Sequence, residues 1–308
     1  MNPLLLISVR PKSPIDRERL ERGLQVLAGE DPAISARDGT DGEVVIGGMG
    51  ELHLEIVIDR LHREFGVDAH LGPPQVGYVE TITAPADGEM KHAQRIASDR
   101  GEYAHVKLRL ERGPSDSGCV FENAISGGTI PDEFMAAVEE GARDAVANGI
   151  VAGYPLVDVR VVVHGGSYHD VDSTPAAFRF AAARALHDAE KKAKPILLEP
   201  VVRVDVSVPP DCGQDVTADL LQRGGKIESA AIVDGEYQAA MLVPLAGMFG
   251  YAGDLRARTN GRGTFRTGLA CYQPCDPPGN GDDRGSPVGA PLKPATPRRR
   301  SGIALPED

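Results

Sequence analysis

Tyr168, His169, Asp170 and Asp172 crowd into one short stretch, HGGSYHDVDS at 164 to 173. Imidazole and carboxylate together can bind a cation or pass protons as general acid and base. The same stretch could cap a helix, or probe a large partner with its phenol and imidazole. A structural zinc site would need further ligands, and none is implied nearby. Acid–base catalysis would need a nucleophile or third group that the neighbouring residues do not provide. A metal-dependent hydrolase built on His169, Asp170 and Asp172 therefore stands as the enzyme-class alternative. Thr174 followed by Pro175 reads as an N-cap and first helical residue, with Asp172 favouring the helix dipole. That leaves Tyr168 and His169 on a turn, without a local reason for being there.

Other sites of chemistry are scarce. GGKIES contains Lys226 but lacks the spacing of a phosphate loop. NGRGTF precedes a strand, so it offers no helix amides to a phosphate. No G-x-S-x-G or H-E-x-x-H pattern occurs. ELHLE spaces Glu51, His53 and Glu55 two apart, which on a helix points them to different faces and reads as a solvated helix start. Cys119, Cys212, Cys271 and Cys275 form no C-x-x-C pair and read as free thiols, not zinc ligands. No metal ligand set is assigned.

The elements around these residues follow from periodicity. YPLVDVRVVV ahead of the stretch reads as a strand, and TPAAFRFAAARALHDAEKKA behind it as a helix. Near the start, LLLISVR reads as a strand. SPIDRERLERGLQVLAGED reads as a helix capped by Ser13, opened by Pro14 and stopped by Gly29. AISARD and GEVVIGGMG suit a hairpin, ELHLEIVIDRLHREFG a second helix closed by Gly66, and VDAHL a last strand. That order is the split βαβ, or ferredoxin-like, arrangement. Residues 200 to 273 repeat it: PVVRVDVSVP, CGQDVTADLLQRGG, the hairpin KIESAAIVDG with EYQAAMLVPLA, MFGYAGDLRARTNG and RGTFRTGLACY. Between them lie extended segments and the helix PDEFMAAVEEGARDAVANG. The fold class is thus α+β, with two ferredoxin-like domains flanking a middle domain of different order.

The chain has 308 residues, enough for several cores, and a net charge of -12 that gives no global attraction to nucleic acid. A local basic patch is still compatible with that charge. Tryptophan is absent and aromatics make up 5%, which disfavours an array of base-stacking platforms. No apolar run reaches the roughly 20 residues of a bilayer span, and MNPLLLISVR does not have the form of a secretory leader. A cytoplasmic protein without a membrane partner is expected. Residues 276 to 308 are rich in Pro, Gly and charge and read as a disordered tail, with the basic run PRRR solvated.

Four stretches carry a family resemblance. GGMGELHLEIVIDRLHREFGVDAHLGPPQVGYVETI, AGYPLVDVRVVVHGGSYHDVDSTPAAFRFAAARAL, KAKPILLEP and MFGYAGDLRARTNGRGTF resemble, in order and spacing, bacterial translation elongation factor G. The resemblance runs from about residue 3 to 273. It implies domain III at 1–75, the elongated arm of domain IV at 76–197, domain V at 198–275 and the tail at 276–308. For domain IV it implies an α/β fold with a left-handed βαβ crossover, against the usual handedness.

The family moves transfer RNA and messenger RNA through the ribosome using GTP hydrolysed in domain I, with the tip of domain IV in the decoding region. The resemblance therefore implies that Ser167, Tyr168, His169, Asp170, Val171, Asp172 and Ser173, with the neighbouring Asp99, Arg100 and Gly101, meet transfer RNA and ribosomal RNA. They would act as a steric and hydrogen-bonding probe that breaks no bond. Arg223 and Lys226, in place of a more basic family turn, would give a weak contact to large-subunit RNA. Ser98 and Asp99 depart from the family's glycine-rich loop. GTP and Mg would enter only through a G domain supplied by another part or a separate GTPase half, so this stretch is not an enzyme on its own. A tetracycline-resistance-type ribosomal protection factor, which shares these domains, is the alternative in the same class. SYHDVDS and GYAGDLR resemble the translocation factor more closely.

Overall fold

A computed structural model describes residues 3–39, 42–95, 101–115, 117–125, 127 and 129–276. The chain begins with strand β1 (Leu5–Pro11) and helix α1 (Pro14–Glu30). Ser13 Oγ accepts the Asp16 N–H at 3.2 Å and Pro14 fills the first turn, so the helix starts where the capping residues place it. It does not stop at Gly29. Asp31 closes it by donating its N–H to the Leu27 carbonyl, because a last-turn glycine needs no left-handed conformation while the ladder continues.

Strands β2 (Ser35–Asp38) and β3 (Val44–Gly48) form the hairpin. Helix α2 (Glu51–Phe65) ends on Gly66 at φ 64, the left-handed conformation that glycine adopts without a Cβ penalty. Strand β4 (Ala69–Leu71) completes a sheet ordered β2-β3-β1-β4, and β5 (Gln75–Val76) adds to β1. At the helix start ELHLE, Glu51 and Glu55 are exposed as their spacing suggests, and His53 is half-buried. His53 Nδ1 accepts the Met49 N–H at 3.0 Å, and its Nε2 lies 3.3 Å from Asp31. Although Glu51 is exposed, partial desolvation, with Glu55 adding to it, raises its carboxyl above its ordinary pKa.

The middle domain opens with β6 (Val79–Ile82), then the long antiparallel pair β7 (Ala86–Arg95) and β8 (Gly101–Arg112). Strand β9 (Cys119–Asn123) leads through helix α3 (Asp132–Val146) to β10 (Val159–Ser167), which lies parallel to it. Helix α4 (Pro175–Lys192) returns. The sheet order is β7-β8-β10-β9, and Leu108, Leu110, Val161 and Val163 pack in one cluster with Phe178, Ala182 and Ala185 of α4.

Close approach fixes glycine at two points here. A Cβ on Gly88 would sit 2.0 Å from the Ala185 carbonyl oxygen, and one on Gly141 would sit 2.1 Å from that of Arg179. Both glycines let the backbone of α4 lie against its neighbours.

The last domain contains β11 (Pro195–Val208), α5 (Gly213–Gln222), β12 (Lys226–Val233), β13 (Glu236–Pro244), α6 (Tyr251–Arg258) and β14 (Thr264–Cys275). Its sheet order β12-β13-β11-β14 repeats that of the first domain, so the two ferredoxin-like arrangements read from the element order are present. Asp234 and Gly235, both at positive φ, make the two-residue turn of the β12–β13 hairpin. Strand β11 is 14 residues long. Its first residues, Pro195 to Leu198, pair with β6, while Leu197 onward pairs with β14 and Val201 onward with β13. The middle domain is therefore tied to the last one by continuous backbone pairing.

From this junction β7 runs outward over about 33 Å at the usual strand rise. Helix α4 comes back over about 27 Å. The turn from β10 to α4 thus lies at the far end of the domain. Among the described residues no helix is long and apolar enough to cross a membrane.

Candidate nucleic-acid interface

The turn between β10 and α4 is held at both ends by the start of β8. At its first residue, Ser167 Oγ lies 2.8 Å from the Tyr103 hydroxyl and 3.1 Å from His105 Nδ1. At its far side, the Asp172 carbonyl accepts the Tyr103 N–H at 2.9 Å, and Ser173 Oγ donates to the Tyr103 carbonyl at 2.8 Å. The Asp172 carboxylate accepts the Gly101 N–H at 3.0 Å. Within the turn, His169 donates its N–H to Ser173 Oγ at 2.9 Å and accepts the Ser173 N–H on its carbonyl at 3.1 Å. Thr174 then caps α4 by accepting the Ala177 N–H at 3.2 Å.

These bonds sort the residues picked from the sequence. Ser167, Asp172 and Ser173 face inward as struts. The Asp172 carboxylate is turned across the gap to Gly101, and the α4 amides are capped by Thr174 instead. Tyr168, His169, Asp170 and Val171 face outward: Tyr168 is 42% exposed, Val171 is 76% exposed, and His169 and Asp170 are also exposed. Asp99 and Arg100, like Ser98, lie outside the described residues, and so does the tail from 277 onward.

His169 Nδ1 sits 3.3 Å from the N–H groups of Val171 and Asp172 and 3.4 Å from the Asp172 carboxylate. A neutral ring accepts from the former, whereas a protonated ring faces the latter. Among the described residues no three His, Cys, Asp or Glu side chains cluster closely enough to hold a metal ion. The four cysteines are free. The outward run can stack and hydrogen-bond, and the hydroxyls flanking it, Ser167 and Ser173, are engaged with β8.

The basic turn of the last domain differs from the sequence expectation. Arg223 is committed to its own domain and is only 16% exposed. Its guanidinium donates to Asp219 at 2.9 Å and to the Gly247 carbonyl at 2.6 Å, pairs with Asp254, and lies 5.3 Å from the centre of the Tyr251 ring. Desolvated packing of this kind makes it a domain strut. Lys226 remains exposed.

Tyr103, His105 and Glu89 escaped the sequence reading. The period-two alternation of β8 puts Tyr103 and His105 on one face. Nothing local says that this face meets a turn more than 60 residues later.

Three family models match the chain: Elongation Factor G, domain III over residues 2–73; Elongation factor G, domain IV over residues 74–194; and Elongation factor G C-terminus over residues 196–279. The crystal structure of a protein from Thermus thermophilus is similar at 34% sequence identity with a TM-score of 0.66. The match covers 90% of this chain and 41% of that one, so the chain spans about two fifths of the length of that relative.

Proposed function

The chain belongs to the elongation factor G family and carries its third, fourth and C-terminal domains, and from that premise we propose that it is the ribosome-engaging part of a translocation factor. Its middle domain acts as an arm. The tip, Tyr168 to Val171, enters the decoding region and helps move transfer RNA and messenger RNA during elongation. Nucleotide hydrolysis, with its GTP and Mg, comes from a G domain outside these residues, joined to them or supplied by a separate half.

One observation carries the reading. Four consecutive exposed residues stand at the far end of a domain roughly 30 Å long, on a turn whose two ends are bonded to a neighbouring strand. Such a tip occupies space without collapsing. Its phenol and imidazole rings give stacking faces that need no particular base, and its polar atoms meet phosphate and ribose. The displacement is mechanical, so no catalytic group is called for at the tip.

The test is co-sedimentation of the chain with bacterial ribosomes carrying transfer RNA, comparing the wild type with Tyr168→Ala and His169→Ala. Loss of one stacked ring is worth about 1–3 kcal/mol, so each substitution should weaken binding by about fivefold to a hundredfold. Unchanged affinity in both variants, with unchanged chemical protection of the small-subunit RNA, would end the proposal.

A further inference from the structure

Two hydrogen-bonded chains meet on Tyr103, and together they account for the shape of the tip. The side-chain route starts at Glu89 on β7. Its carboxylate can only accept, so His105 Nε2, 2.7 Å away, must carry a proton. With the ring neutral, Nδ1 is then an acceptor and takes the Ser167 hydroxyl hydrogen at 3.1 Å. Ser167 Oγ is left with lone pairs only, and so accepts from the Tyr103 hydroxyl at 2.8 Å. One tautomer therefore satisfies four groups in a single direction, from Tyr103 through Ser167 and His105 to Glu89.

Lys107 Nζ, 3.4 Å from Glu89, keeps that carboxylate charged. The hydrogen bond from His105, with the one from Lys107, holds its pKa below the ordinary value. The backbone route is separate. Tyr103 donates its N–H to the Asp172 carbonyl and accepts from Ser173 Oγ. Its ring is flanked by the Lys91 ammonium at 5.7 Å and the His169 ring at 6.4 Å.

We propose that Tyr103 is the positioning residue of the tip: its hydroxyl holds the first residue of the turn, its backbone holds the last ones, and the chain behind it through Ser167, His105 and Glu89 fixes the direction of that hold. The inference rests on the tip being the RNA-contacting element, but it concerns residues that do not themselves reach outward. Tyr103 is half-buried. It acts through Tyr168 and His169, whose freedom it removes before any partner arrives, and preorganisation of this kind raises affinity without adding a contact.

The experiment uses the whole chain. Amide exchange at His169 and Ser173, both bonded within the turn, is compared in wild type, Tyr103→Phe, Ser167→Ala and Ser167→Thr. Tyr103→Phe removes one oxygen and keeps the ring and both backbone bonds. Exchange at these amides should rise about tenfold in Tyr103→Phe and Ser167→Ala, with no change in α3. Ser167→Thr keeps the hydroxyl and should restore the wild-type rate, which a mere packing role would not distinguish from alanine. Ribosome affinity should fall about fivefold in Tyr103→Phe, and by no further factor when Tyr103→Phe is added to a Tyr168→Ala, His169→Ala background.

Unchanged exchange in Tyr103→Phe overturns the proposal outright. Raised exchange with unchanged affinity, while Tyr168→Ala still weakens binding, overturns the positioning role and leaves the tip as the contact. Raised exchange with Tyr168→Ala also without effect supports the hold on the turn and refutes the RNA-contacting reading instead.

Discussion

Glu80 offers the most demanding test of the fold. It lies on β6, fully buried where the middle domain joins β11 opposite Leu197, and among the described residues no cation pairs with it. Its carboxyl oxygens are met by backbone donors: Oε2 accepts the Val151 N–H at 2.9 Å, and Oε1 accepts those of Ala152 at 2.8 Å and Tyr154 at 3.2 Å. The loop that supplies them passes close. A Cβ on Gly149 would fall 2.4 Å from Oε2. Glu80→Ala leaves three N–H groups without an acceptor, two at a partly buried site and one fully buried. At about 1–3 kcal/mol for each unsatisfied donor, reduced where water reaches the outer two, the loss should be about 4 kcal/mol.

Glu80→Gln has a distinct expectation. Its carbonyl can serve Ala152 and Tyr154, but its amide then points a donor at the Val151 N–H, for a loss of about 1–2 kcal/mol. Amide exchange at Ala152 and Tyr154 reads the site directly, and urea unfolding by circular dichroism reads the whole chain. The alanine variant should speed local exchange by about a thousandfold. A loss below about 1 kcal/mol, or equal effects of Ala and Gln, would refute the donor accounting.

Three further outcomes are expected. Gly141→Ala would add about 1 kcal/mol to an isolated helix, but here the new Cβ meets the Arg179 backbone. Overpacking should instead destabilise the middle domain by about 1–3 kcal/mol in a thermal melt. Thr174→Ala removes the bond to the Ala177 N–H and should lower stability by about 1 kcal/mol, while Thr174→Ser should recover most of it. Burial raises the Glu190 carboxyl above its ordinary value of 4.5, against a weaker opposing pull from His187. Its protonated form is thus favoured on folding, so the stabilisation is complete below that value and is lost as pH rises through the raised one. Glu190→Gln should flatten this part of the stability–pH curve, and an unchanged curve would count against it.

The legible parts of the molecule are those ruled by neighbours along the chain. Ser13 with Pro14, and Thr174 with Pro175, open helices because a cap needs only an oxygen and a donor three residues on. Gly66 closes α2 because the left-handed conformation there excludes a side chain at little cost only in glycine. The repeated strand and helix order, read from periodicity alone, is the order both outer sheets adopt. Gly29 misled because a glycine near a helix end permits a stop without compelling one.

Residue types and spacing therefore determined by themselves the elements, the two repeated sheets and the short stretch where unusual side chains gather. The tertiary structure decided what those side chains do. Asp172 turns to Gly101, Ser167 to Tyr103 and His105, Arg223 into its own domain, and Glu80 into a loop some 70 residues away. The reason is physical: a helix cap or a turn is closed by bonds within a few residues, whereas a polar group at a buried junction takes whichever donor or acceptor packing brings to it from elsewhere in the chain.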